Sequence, residues 1–202
     1  MERYGKENIN KLAQILKNDG VISVPTDTVY GVCARINSKK AKENLIKAKS
    51  RPEEKPFPVM CADENQIKQI AYVGKREEIL IQKFMPGPIT LILNKKENIP
   101  EYVTNGKNTI AIRMATSEEI KELITKVESP IFMSSANKSG EETAKNLDEI
   151  EKKCPTIDAM LEGNVSFGIS STIVDCSSDE IKILREGPIK LEEILDEIKK
   201  NS

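Results

Sequence analysis

Short apolar, β-branched runs alternate with segments of helical period along almost the whole chain, and this alternation most constrains the fold. The runs VISV, ITLIL, TIAIRM, PIFM, STIVD and IKILR each have the length and side chains of a buried strand, and PFPVMC and TIDAML read as shorter ones. Between them, residues 7 to 18 set Ile9, Leu12, Ile15 and Leu16 on one helical face, with Gly20 as a stop. Ser38 opens a helix that runs to Ala48, Asp63 caps ENQIKQIA, and KREEILIQKFM ends at the break Pro86-Gly87-Pro88. Thr116-x-x-Glu119 has the form of a capping box for the helix carrying Ile120, Leu123 and Ile124. A helix near 146 to 153 and a closing one over LEEILDEIKK complete the series. Helices alternating with strands, then two strands in succession at the end, predict an α/β fold with a twisted mixed parallel and antiparallel sheet, as one domain over residues 1–202.

Composition excludes more than it proposes. The chain has no histidine, so Ser-His-Asp and Cys-His catalysis, HExxH metal sites and imidazole acid-base chemistry are all ruled out. The four cysteines form no CxxC pair and read as free buried thiols, and no metal ligand is assigned in the protein. A net charge of −1 and 4% aromatic residues argue against a dedicated nucleic-acid binder. No apolar run approaches the roughly 18 residues of a membrane span, and MERYGKENINK is too polar for a secretory signal. A cytoplasmic protein with no membrane contact is expected.

Polar groups collect just beyond the strands. VISV leads to PTDT, TIAI to Arg113, PIFM to SSANKSG, and IKIL to Arg185. Each loop alone has the composition of an ordinary turn, but ligands in open α/β sheets lie beyond strand ends, and four such loops suggest one pocket. SSANKSG offers three hydroxyls and an amide with little bulk, although neither GxxxxGK[ST] nor GxGxxG is present. Of only six arginines, Arg51, Arg113 and Arg185 lie beside these loops, and the guanidinium fork matches phosphate or carboxylate. Together they describe a site for an anionic ligand, read as a nucleotide. Lys49 and Arg51 in KSRP suit such a ligand or a solvated helix end. Asp27 reads as closing an Asx-turn rather than holding Mg²⁺, and Tyr30 either stacks on a base or fills the core.

PTDTVYG, KSRP, PGPITLIL, TIAIR, SSANKSG, SSTIVD and ILREG occur in the order and approximate spacing of the YrdC family of L-threonylcarbamoyladenylate synthases, which the chain resembles from about residue 7 to 190. The resemblance implies a YrdC-like fold enclosing a concave substrate cavity. It also implies an enzyme that joins L-threonine, bicarbonate and ATP, with Mg²⁺, into threonylcarbamoyl-AMP and pyrophosphate. The product would serve modification of adenosine 37 in tRNAs reading ANN codons, through a separate transferase complex.

By the same resemblance, Thr28, Arg113 and Ser171 would bind threonine. Lys49, Arg51 and Lys55 would hold ATP phosphates, with Lys49 and Arg51 neutralising charge during transfer, and Thr109, Ser135, Asn137, Thr143 and Arg185 would complete the nucleotide site. Met60 stands where longer relatives have a threonine-binding histidine, and those relatives carry a further C-terminal domain, so the likeness is to the short form. Two other readings remain at this stage. One is a carbamoyl-adenylate-forming paralogue with another substrate, as in hydrogenase maturation proteins. The other is a double-stranded RNA-binding protein, with direct tRNA contact.

Overall fold

In a computed structural model the chain is described over residues 1–50, 55–165 and 170–201. In order the elements are β1 (Glu2–Tyr4), α1 (Ile9–Lys17), β2 (Ile22–Pro25), β3 (Tyr30–Arg35), α2 (Lys39–Lys49), β4 (Val59–Cys61), α3 (Glu64–Ile70), α4 (Lys75–Phe84) and β5 (Ile89–Asn94). There follow α5 (Glu101–Thr104), β6 (Thr109–Met114), α6 (Glu118–Val127), β7 (Ile131–Ser135), α7 (Leu147–Lys153), β8 (Ala159–Leu161), β9 (Thr172–Asp175), β10 (Lys182–Arg185) and α8 (Leu191–Asn201). All ten strands form one sheet in the order β1-β8-β2-β3-β7-β4-β6-β5-β9-β10. It is mixed, as expected: β4–β6 and β5–β9 are parallel, whereas β2–β3, β3–β7 and β5–β6 are antiparallel. STIVD and IKILR do form a hairpin, with a register shift between Ile183 and Arg185.

Side chains alternate across the sheet and so build two cores. On one face Val32, Val59, Leu91, Ile112 and Phe132 pack with Leu45 of α2, Ile67 of α3, Leu80 of α4 and Ile194 of α8. On the other, Ile22, Val24, Met60 and Ile131 pack with Leu12 and Leu16 of α1 and Ile120, Leu123 and Ile124 of α6. Farther along that second face, β5 and β6 present Thr90, Ile92, Ala111 and Arg113, which line a cavity instead of meeting α1 or α6.

Three local readings are corrected. The stretch 21–32 holds two strands, since Tyr30 begins β3, and the polar residues form the hairpin turn between them. Ser117, not Thr116, caps α6, its side chain accepting from the Ile120 amide at 3.3 Å. Helix α1 ends through left-handed Asp19 (φ 66°), whereas Gly20 answers a close approach, since a Cβ there would lie 2.7 Å from the Ile15 carbonyl oxygen. Strand β1 and the short α5 were not anticipated, being too brief and too polar to carry a period. Ser38 caps α2 as expected, accepting from the Ala41 amide.

Candidate active site

The β2–β3 turn is organised by Thr26. Its hydroxyl accepts from the amides of Thr28 and Val29, both at 3.2 Å, and donates to the Val29 carbonyl at 2.6 Å. Asp27 is thereby released from the turn-closing task that the sequence suggests for it. Its Oδ1 instead accepts from an Arg113 terminal nitrogen at 2.8 Å and from the Thr116 hydroxyl at 3.3 Å. The other Arg113 terminal nitrogen donates to Thr28 Oγ1 at 3.3 Å. Arg113 is 7% exposed and Thr28 1%, so the pair is largely removed from water. Asp27 Oδ2 and Arg113 Nε are buried and have no hydrogen-bond partner among the described residues, which leaves bonding capacity at the site unspent. Tyr30 fills the core, and its hydroxyl donates to the Gly163 carbonyl at 2.7 Å.

Across the cavity stands a second group. Arg185 donates through Nε and a terminal nitrogen to the Ser171 carbonyl, at 3.0 and 2.8 Å, and reaches Ser171 Oγ at 3.2 Å. That hydroxyl is also 2.8 Å from Thr90 Oγ1. Gly187 lets this segment lie close to β9, since a Cβ there would come within 2.4 Å of the Thr172 amide nitrogen. Burial, and then the positive charge of Arg113, push the Arg185 guanidinium below its ordinary pKa. An arginine stays charged regardless, so the consequence is a cavity whose potential favours an anion.

Thr28, Arg113, Ser135, Ser171 and Arg185 all line a single cavity of about 370 Å³. The remaining expected site residues lie elsewhere. Asn137 is buried behind Ser135, its amide donating to the Lys138 and Glu141 carbonyls at 2.8 Å. Thr109 shares the face of Ala111 and Arg113 but sits opposite Asn94 at the start of β6, outside the lining. Thr143 is half-buried and Lys55 exposed, neither on the cavity wall. Arg51 lies outside the described residues. Met60 is wholly buried beside Arg113 in the β4–β6 register.

Lys49 is 1% exposed and is not among the lining residues, its ammonium donating to the backbone carbonyls of Ser135 and of Asn137, the latter at 2.8 Å. Thr26, Thr90 and Thr116 are the contributors that sequence reasoning passed over. For Thr90 a signal existed, a lone hydroxyl within the apolar run ITLIL.

Residues 14–187 match a model of the Sua5/yciO/yrdC family, described as telomere recombination. A putative threonylcarbamoyl-AMP synthase of Methanocaldococcus jannaschii is 34% identical over 195 residues, spanning 96% of this chain and 92% of its own. A threonylcarbamoyl-AMP synthase of Pyrococcus abyssi is 32% identical over 96% of this chain, which spans only 58% of that relative. The solved structure of P. abyssi Sua5 complexed with L-threonine superposes with a TM-score of 0.90 at 30% identity, over 98% of this chain and 60% of that one.

Proposed function

The chain belongs to the Sua5/yciO/yrdC family, and from that premise we propose that it is an L-threonylcarbamoyladenylate synthase, forming threonylcarbamoyl-AMP and pyrophosphate from L-threonine, bicarbonate and ATP. One observation carries the reading: within one cavity, Ser171 of the expected threonine set is hydrogen-bonded to Arg185 of the expected nucleotide set. A reaction that joins an amino acid to a nucleotide requires the two subsites to touch.

The chemistry needs no protein nucleophile, in keeping with a chain that has no histidine. The threonine amine adds to the bicarbonate carbon and water leaves, giving a carbamate. A carbamate oxygen then attacks the α-phosphorus of ATP, and the bond from that phosphorus to the bridging oxygen breaks to release pyrophosphate. Arg113 and the Thr28 and Ser171 hydroxyls orient threonine, while Ser135 and Arg185 hold the nucleotide within the cavity, joined by Arg51 of the KSRP motif, so most of the catalysis is positioning and charge neutralisation. Mg²⁺ enters as part of the substrate, bound to the ATP phosphates. Among the described residues the cavity walls offer hydroxyls and guanidiniums rather than carboxylates.

The product would pass to a transferase complex acting on adenosine 37 of tRNA, in the cytoplasm. Among the described residues no helix is long and apolar enough to cross a membrane. The test is pyrophosphate release from ATP, Mg²⁺ and bicarbonate with and without L-threonine, with mass spectrometry of the nucleotides. Threonine-dependent release with a threonylcarbamoyl-AMP mass is expected. No release overturns the reading, and RNA binding that weakens steeply with salt would favour the RNA-binding alternative.

A further inference from the structure

We propose that Lys49 is a positioning residue, whose ammonium fixes the 135–144 loop from beneath through the Ser135 and Asn137 carbonyls and does not itself bind phosphate. At 1% exposure it is among the largest fully buried side chains of the protein. An ammonium has donors only, and two of its hydrogen bonds end on backbone oxygens of the loop that carries Ser135 into the cavity. Moving it out to a phosphate would take the ammonium from the Asn137 carbonyl in the interior, at the desolvation cost of that group, whereas the Ser135 carbonyl would keep the Asn137 amide at 3.0 Å.

The main chain of Lys49 grips the same loop, since its carbonyl accepts from the Ser139 amide at 3.1 Å. The loop then closes on itself. Ser135 Oγ bonds Asn137 Oδ1, and the Ala144 amide donates to the Ala136 carbonyl at 2.9 Å. Ser50 follows in left-handed geometry (φ 46°, ψ 43°), turning the chain at the point where the lysine has been delivered inward. The buried cation thus ties the end of α2 to the loop after β7.

Only the kinetic part of the test rests on the synthase reading. In ligand-free protein, Lys49→Met should lower hydrogen-exchange protection of the Ser139 and Ala144 amides by about tenfold or more, with the Ile112 amide of β6 unchanged. Lys49→Gln keeps N–H donors without the charge, on a stem one atom shorter. It should therefore retain part of that protection and an ATP KM within about threefold of the parent. Unchanged protection in Lys49→Met overturns the proposal. So does an ATP KM raised about tenfold or more in Lys49→Gln, because a phosphate contact depends on the charge, and this result decides alone if Lys49→Met fails to fold. If the parent makes no product, the exchange measurement still decides the role of Lys49.

Discussion

Ser171 performs two tasks with two different atoms. Its carbonyl oxygen holds Arg185, and its hydroxyl faces Thr90 and the cavity. Ser171→Ala removes only the second, so Arg185 keeps its principal anchor. The threonine KM is expected to rise about tenfold while the ATP KM moves less than about threefold, as measured by steady-state kinetics with each substrate varied in turn. The reverse pattern would exchange the two subsites. Thr28, Arg113, Ser171, Ser135 and Arg185 were all legible as motif residues before any fold was known. The task of Asp27 was not, because its partner Arg113 lies 86 residues away and a carboxylate in Pro-Thr-Asp-Thr is locally indistinguishable from a turn residue.

The start of α6 shows how close an element boundary lies to the site. Thr116 and Ser117 are adjacent hydroxyls, one turned to Asp27 and the other to the Ile120 amide. Ser117→Ala should therefore cost about 1 kcal/mol, lowering Tm by about 2–4 °C in calorimetry. Thr116→Ala should lower Tm less, and equal losses would mean that both hydroxyls support the cap. Sequence reasoning chose Thr116 because the capping-box pattern fits it, and the pattern fails only by one residue. The same limit applies to α1, where a glycine read as the stop is instead the site of a close approach, and the left-handed turn falls on Asp19.

At the scale of the molecule, the two cores leave the cysteines no route to solvent. Cys33, Cys61, Cys154 and Cys176 are all buried, and burial raises every one of these thiols, Cys176 to about 12. Because the thiolate is the reactive form, raised values keep them inert at pH about 8. Iodoacetamide should label the native protein slowly and all four thiols rapidly in guanidinium, with mass spectrometry counting the adducts. Rapid labelling of one thiol in native buffer would identify a locally opening region rather than a uniformly closed core.

The sequence alone determined what depends on neighbours along the chain: helical and strand periods, the Ser38 cap, the closing hairpin, and the motif residues that come to line the cavity. Tertiary structure decided what depends on neighbours in space. Strand order brings β5 beside β9 and β3 beside β7, which sets Thr90 against Ser171 and Ser135 against Gly31. The same packing pairs Asp27 with Arg113 and buries the Lys49 ammonium against the Ser135 and Asn137 carbonyls. The physical reason is that a period of two or of 3.6 residues fixes which face a side chain takes, whereas its partner is selected by burial and hydrogen-bond satisfaction across the whole sheet.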